Sequence, residues 1–229
     1  VSWNKISSGQ MSVRYQPAGI IPGDASPFLH SVKQDHAILI FSMAVLNSKI
    51  AAEIVKVLSP TLNFEVGNIA EIPLAIDSNI KRESLDLAEG NIKVSKEDWD
   101  SFETSWDFTT HPLVSMSKGL WDATSTAAAM DYFYGYLPEA SCPLEICYLL
   151  WQGQCKERFE KLKANEEELN RIFIDIYGLQ DELTPEERCD RAQGGLAAGY
   201  QEPAQLCRGL YVWPLLAGCA RACAGWPAL

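Results

Sequence analysis

The stretch LEICYLLWQGQCKERFEKLKANEEELNRIFIDIYGL, residues 144–179, decides the fold that the sequence predicts. Its apolar side chains recur at helical spacing. They are Ile146, Leu149, Leu150, Phe159, Leu162, Leu169, Ile172, Phe173 and Ile176. Gly153 predicts a break in the helix, and Gly178 predicts its end. The stretch therefore predicts a helix or a helix pair that packs on one side, and it serves either as a structural element or as a dimerisation or docking surface.

Short strands and a helix are predicted before this stretch. Residues 3–17 alternate between apolar and polar side chains, which predicts a hairpin that turns at Ser8 and Gly9. The apolar run 37–41 predicts a buried strand. Asn47 is expected to cap the following helix, which ends at Pro60.

The segment after Pro60 predicts a short strand around Phe64 and Val66, followed by a turn at Gly67. A mixed α/β unit is therefore expected over residues 1–78, and a mainly helical region over residues 143–187. The predicted fold class is α+β.

The run DWDSFETSWDF at residues 98–108 holds four carboxylates, two tryptophans and two phenylalanines. Ser95 followed by Asp98 predicts a capping box, so we expect a short helix over residues 96–106. On that helix Trp99, Phe102 and Trp106 would form one buried stripe. The acids of the adjacent face would be solvated or would pair with neighbours, and they are Asp100, Glu103 and Asp107. Packing is the favoured interpretation of this run, and metal binding is the alternative.

Composition indicates a folded protein outside the membrane. The chain has 229 residues, of which 47% are hydrophobic, so it can bury a core. No apolar run reaches the roughly 18–20 residues that a membrane helix needs, so we expect a soluble protein without a membrane partner. Seven cysteines without a C-x-x-C pair, beside three histidines, argue against zinc and for reduced thiols in the cytoplasm. The start at Val1, without an initiator Met, suggests a piece of a longer protein.

Charge is distributed unevenly along the chain. Residues 1–60 carry five Lys and Arg against three Asp and Glu, whereas residues 61–187 carry ten against twenty-five. Because phosphate contacts need cations, any contact with nucleic acid is expected in the first segment. From Arg188 onward the chain has no Lys, Ile, Phe, Ser, Thr, Asn or His. That composition suggests a frame change or an appended extension, with a flexible Gly/Ala-rich tail as the alternative.

Three runs carry a resemblance to a known family. They are LNSKIAAEIVKVLSPTLNFEVGNIAEIPL, DWDSFETSWDF with HPL after it, and NEEELNRIFIDIYGLQDELTPE. In this order they resemble the C-terminal region of the PglX-type adenine-specific DNA methyltransferases of BREX phage-resistance systems. They are also similar to the related restriction-modification methyltransferases that combine catalysis and specificity in one chain. The resemblance covers residues 1–187 and stops where the composition changes.

The resemblance implies that the parent enzyme transfers a methyl group from S-adenosylmethionine to the exocyclic amine of a flipped adenine. The family's catalytic loop is an (Asp/Asn)-Pro-Pro-(Tyr/Phe) tetrapeptide, and this sequence contains no Pro-Pro pair. It also lacks a convincing glycine-rich cofactor motif. We therefore expect a fragment that neither catalyses alone nor binds a cofactor. Its expected regions are a target-recognition-like unit (1–78), an acidic and aromatic connection with a short helix (79–142), a helical region (143–187) and an aberrant tail (188–229).

The resemblance also implies double-stranded DNA as the partner. Readers of this kind place Lys, Arg and Ser on phosphates, and Arg, Asn or Gln on base edges. The candidate residues all lie in the segment that is not acidic, and they are Lys5, Ser7, Ser8, Gln10, Arg14, Lys33, Gln34 and Lys49. The alternative is a protein-interaction module whose acidic helical half docks on another phage-defence protein.

Overall fold

The described part of the chain forms a two-stranded hairpin and six helices. The structure is a computed structural model that describes residues 1–7, 10–76, 82–123 and 143–186, without the side chains of 119–123 and 143–145. It is mostly helical with one small antiparallel sheet, which agrees with the predicted α+β class. The predicted turn at Ser8 and Gly9 and the tail at 188–229 lie outside the described residues.

The elements follow one another as β1 (Ser2–Trp3), β2 (Val13–Arg14), α1 (His36–Leu46), α2 (Lys49–Leu58), α3 (Val66–Ala70), α4 (Arg82–Trp99), α5 (Pro112–Ala123) and α6 (Pro143–Tyr177). Strands β1 and β2 pair in antiparallel register, with Ser2 opposite Arg14 and Trp3 opposite Val13. The predicted hairpin is therefore confirmed as a strand pair.

Helix α6 is continuous over 35 residues. The predicted break at Gly153 is wrong, since strong helix formers flank this glycine and helix geometry continues through it. The predicted end at Gly178 is confirmed: its φ is +68°, and the Leu179 amide donates to the Ile174 carbonyl at 3.0 Å. On the buried face, the Phe173 ring meets Phe41 of α1 edge to face at 5.7 Å between centroids.

Helix α1 occupies the place of the predicted strand at 37–41, so that prediction is wrong. Asp35 caps the helix, because its carboxylate accepts from the Ile38 amide at 3.2 Å. Residues 40–46 are all buried. A helix that is apolar on every side has no amphipathic period, so its run of residues cannot be distinguished from a buried strand by pattern.

The cap of α2 is Ser48 and not Asn47, because the Ser48 hydroxyl accepts from the Ala51 amide. Asn47 instead pairs with the backbone of the hairpin. Its side chain accepts from the Val13 amide and donates to the Val13 carbonyl, each at 2.8 Å. The side chain thus continues the sheet by one residue and fixes β2 against the end of α1.

The predicted strand around Phe64 and Val66 is also wrong. Asn63 forms one isolated antiparallel bridge with Ile6, and Val66 begins the short helix α3. Gly67 lies inside that helix. The Phe64 carbonyl also accepts a hydrogen bond from the Trp3 indole at 2.9 Å. Isolated hydrogen bonds of this kind, and not a continuous strand pairing, connect this segment to residues 3–6.

Helix α4 replaces the short helix predicted over 96–106. It ends at Trp99, and Ser95 lies within its last turns, where its hydroxyl donates to the Asn91 carbonyl at 2.7 Å. The buried side chains of α4 are small or polar, and they are Ser84, Ala88, Asn91, Val94 and Asp98. Because large apolar residues are scarce on this buried face, the length of α4 could not be predicted from an apolar pattern.

Within the described ranges, no single helix is long and apolar enough to cross a membrane. Helices α1 and α2 reach that length and composition only as a pair, and they are bent by 70°.

Candidate nucleic-acid interface

A long loop, residues 15–35, joins β2 to α1 and lies mostly exposed. Its middle is fixed to β1, since the Trp3 amide donates to the Pro27 carbonyl at 3.1 Å and the Leu29 amide to the Val1 carbonyl at 2.9 Å. Loops of this length without regular structure are uncommon in compact domains and are usually functional or disordered. Here backbone hydrogen bonds hold the middle of the loop in place. Residues 30–35, which precede α1, form the largely exposed end of the loop.

That end contains a turn over residues 31–34, in which the predicted DNA contacts Lys33 and Gln34 are exposed. The Gln34 amide donates to the Ser31 carbonyl at 3.1 Å, and the Asp35 amide donates to the Ser31 hydroxyl at 3.0 Å. Gln34 adopts a φ of +55°, which side chains other than Gly, Asn or Asp seldom adopt. Val32 is 90% exposed. The 31–34 turn is therefore an ordered, strained feature that presents polar and apolar side chains outward.

Two other predicted cations lie on the hairpin and already have partners. Lys5 is within 3.4 Å of Asp24 and 3.7 Å of Glu65. Arg14 donates to the Asn4 side chain, and partial burial lowers the pKa of its guanidinium. Both cations already have polar partners, so their charge is less available to a phosphate than that of Lys33.

The remaining predicted contacts are dispersed. The Lys49 ammonium donates to the Thr184 and Glu186 carbonyls, on the side of the molecule where α6 ends. The Ser7 amide donates to the Leu62 carbonyl at 3.0 Å. Gln10 is exposed, and Ser8 lies outside the described residues. The structure thus brings Lys33 and Gln34 together and places the other candidates elsewhere.

A large cleft lies between the hairpin and the helices, with a volume of about 1510 Å³. One side comes from β2 and the loop after it, and the others from the end of α4, residues 100–107 and the starts of α5 and α6. Seven aromatic rings line it, and they are Tyr15, Trp99, Phe102, Trp106, His111, Tyr148 and Trp151. We call this feature the aromatic cleft.

The aromatic rings of the cleft differ greatly in exposure. Trp151 is buried and lies 6.4 Å from Phe102 and 5.2 Å from His111, between ring centroids. Trp99 is partly exposed, and Trp106 is fully exposed. The prediction that residues 99, 102 and 106 form one buried stripe is therefore wrong, because the helix ends at Trp99 and the chain then turns. Trp151 packs in the floor of the cleft, and Trp106 stands at its rim.

Asp98 is buried near the end of α4, so the predicted capping box of Ser95 and Asp98 at a helix start is wrong. Asp98 has 0% exposed side chain, and no hydrogen bond to either of its carboxylate oxygens occurs among the described residues. Its nearest cation is Arg158 of α6, whose Nη2 lies 3.7 Å from Asp98 Oδ1. Burial raises the pKa of Asp98 to about 8, and the attraction of Arg158 offsets only part of that effect.

Two other acids of this run, Asp100 and Asp107, flank a lysine at the cleft. Lys96 Nζ lies 2.7 Å from Asp100 Oδ2 and 2.6 Å from Asp107 Oδ2. Hydrogen bonds to these two carboxylates raise the pKa of Lys96. Across the described ranges, no group of three or more His, Cys, Asp or Glu side chains could hold a metal ion.

Sequence reasoning did not identify the floor of the cleft. Tyr148 and Trp151 line the floor, and Cys155 packs in a buried cluster with Trp151. These three residues recur at i, i+3 and i+7 on α6, which is the spacing of one helical face. That spacing could have predicted that these residues share one buried face of the helix. The exposure of Trp106 left no signal in the sequence, because it depends on where α4 ends.

No protein-family model matches the chain. Two curated proteins do match. The adenine-specific methyltransferase PglX of Lacticaseibacillus casei (strain Zhang) is 41% identical over 187 residues, which are 82% of this chain and 14% of that protein. The adenine-specific methyltransferase BrxX of Escherichia coli O9:H4 (strain HS) is 30% identical over 183 residues, which are 80% of this chain and 13% of that protein.

The chain is related to the PglX-type BREX methyltransferases. This relation confirms the resemblance that the three quoted runs indicated. The chain spans about one seventh of the length of these PglX-type relatives, so most of their sequence lies outside the match.

Proposed function

We propose that this chain is a DNA-recognition and scaffold region of an adenine-specific DNA methyltransferase in phage defence, and that it contacts duplex DNA through the 31–34 turn. The observation that carries the proposal is the geometry of this turn. It is ordered by hydrogen bonds to Ser31, it is strained at Gln34, and it exposes a lysine beside a glutamine. Rigid presentation of polar side chains lowers the cost of ordering them on a partner.

The two exposed side chains suit different parts of DNA. Lys33 carries a charge that, among the described residues, has no ion-pair partner, and it can bind a phosphate oxygen. Gln34 carries an amide, which can pair with adenine through N6 and N7 in the major groove. The turn belongs to the only segment of residues 1–187 that is not acidic, so repulsion of the phosphates is weakest there.

The parent enzyme would transfer a methyl group from S-adenosylmethionine to the exocyclic amine of a flipped adenine. The described residues of this chain offer no site that fits that cofactor. The described strands are two residues long, and none of them leads through a glycine-rich turn into a helix, which is the unit that nucleotide-like cofactors use. The sequence also has no Pro-Pro pair for the catalytic loop. Catalysis would therefore lie elsewhere in the parent, and this region would position the DNA.

The test is a salt titration of duplex DNA binding by fluorescence anisotropy, with Lys33→Glu compared with Lys161→Glu. Both lysines are exposed, and Lys161 lies on α6 in the acidic half. We expect Lys33→Glu to weaken binding about tenfold or more and to reduce the slope of log K against log salt by about 0.9, since one phosphate contact is lost. Lys161→Glu should leave both quantities nearly unchanged.

Equal effects of the two variants would contradict the placement of the interface at the turn. If the wild-type chain bound no duplex at low salt, the DNA proposal itself would fail. The alternative function, docking of the acidic helical half on another defence protein, would then be the one to pursue.

A further inference from the structure

The aromatic cleft has the dimensions and the lining of a binding groove for a polypeptide. Its volume of about 1510 Å³ exceeds the roughly 300–1,000 Å³ that is usual for small-molecule sites. Its floor is formed by the buried ring of Trp151 and the partly buried rings of Phe102, His111 and Tyr148. At the rim, Trp106 leaves its whole ring in water, although Trp is among the residues that contribute most to interfaces when they are covered.

The charges around the cleft indicate which polypeptide it fits. Three carboxylates line it, on Asp100, Glu103 and Asp107, against the two cations Lys96 and Arg14. Lys96 is already held between Asp100 and Asp107, and Arg14 is partly buried against Asn4. Glu103 is exposed at the rim. The lining is therefore net negative, within a segment of the chain that is itself strongly acidic.

Both features favour a cationic occupant. Electron-rich faces of Trp and Tyr attract ammonium and guanidinium groups, most strongly when the groups are partly desolvated. Carboxylates at the rim also attract cationic groups, and they would repel the phosphates of a nucleic acid. A nucleic acid could stack bases on the rings, but its backbone would then run past Glu103 and Asp107.

We propose that the aromatic cleft binds a peptide segment of a partner protein that combines Lys or Arg with apolar residues. The cationic side chain lies over Trp106 and Trp99 and pairs with Glu103. The apolar neighbours fill the floor beside Phe102 and Trp151. This site is separate from the 31–34 turn and goes beyond the DNA contact proposed above.

The experiment incubates the 229-residue chain with an immobilised random peptide library, and then measures the best-bound peptide by fluorescence anisotropy and by the emission of tryptophan. Two variants test the site, Trp106→Ala and Glu103→Gln. Their matched controls are Val57→Ala and Glu71→Gln, which also remove an exposed apolar or acidic side chain but lie outside the cleft. Unchanged thermal unfolding of each variant shows that it is folded.

We expect the bound peptides to be enriched in Lys and Arg beside apolar residues. Trp106→Ala should weaken the selected peptide about tenfold. Glu103→Gln should weaken it about threefold and reduce its salt dependence. The controls and Lys33→Glu should bind as the wild type does.

Three results would overturn the proposal: a library that yields no basic enrichment, a control that loses as much affinity as Trp106→Ala, or displacement of the peptide by single-stranded DNA. The last result would assign the cleft to nucleic acid. Lys33→Glu changes the 31–34 turn and leaves the cleft intact. A failure of the DNA proposal can therefore be distinguished from a failure of the peptide proposal.

Discussion

Replacing Asp98 with Asn should remove a pH dependence of stability that the wild-type chain carries. In the unfolded chain this carboxyl titrates near its ordinary value of 3.8, whereas burial against α6 raises its pKa to about 8 in the folded chain. Between these values the folded state holds a proton that the unfolded state has released. The contribution of Asp98 to stability is therefore greatest below a pH of about 4 and is lost as the pH rises to about 8.

The magnitude follows from the difference between the two pKa values. One pKa unit corresponds to about 1.4 kcal/mol, so Asp98 alone should lower the free energy of unfolding by about 3 kcal/mol between pH 5 and pH 7. The amide of Asn occupies the same volume as the protonated acid and does not titrate. Asp98→Asn should therefore match the wild type in stability only below a pH of about 4, and its advantage over the wild type should grow by about 3 kcal/mol between pH 5 and pH 7.

The assay is urea unfolding at pH 5, 6, 7 and 8 for the wild type, Asp98→Asn and Asp181→Asn, which replaces an exposed carboxylate after α6. Other groups titrate in the wild type and in both variants, so the differences between the curves isolate the substituted carboxyl. Asp181→Asn should run parallel to the wild type. Parallel curves for Asp98→Asn as well would refute the reasoning, since Asp98 would then ionise in the folded chain as it does in water.

Three further changes test other contacts. Asn47→Ala should lower the free energy of unfolding by about 2–3 kcal/mol in urea, since two backbone groups of Val13 lose their partners; no change would show that water replaces them. Gln34→Gly should raise it by about 1 kcal/mol by relieving the positive φ, while DNA binding weakens; loss of stability would contradict the strain. Trp151→Ala should cost about 3–5 kcal/mol and Trp106→Ala almost nothing by thermal unfolding, because only the first ring is buried; equal costs would contradict the described cleft.

The parts of the fold that could be predicted are those with a visible period. Helix α6 was predicted because Leu162, Leu169, Ile172 and Phe173 recur at helical spacing against polar neighbours, and Gly178 ends it with a positive φ. Helix α1 could not be assigned in the same way, since it is apolar on all sides and its period is hidden. Helix α4 could not be predicted at its full length for the opposite reason: its buried face includes the polar residues Ser84, Asn91 and Asp98, so it shows no apolar stripe.

The candidate interface shows the same division. The charge distribution predicted that nucleic-acid contacts would lie in residues 1–60, and Lys33 and Gln34 are exposed in that segment. The partners of Lys5 and Lys49 could not be read from the sequence, because Glu65 and Thr184 reach them only through the folded chain. The aromatic cleft joins residues from four separate parts of the sequence, so no local pattern could reveal it.

The contact between Phe41 and Phe173 has a consequence for how the protein is made. The two rings are roughly 130 residues apart in sequence, and synthesis at about 5–20 residues per second needs on the order of ten seconds to cover that distance. During this interval α1, whose residues 40–46 are all buried in the folded chain, has emerged without the helix that covers it. The nascent chain should therefore be prone to aggregation at α1 until α6 leaves the ribosome.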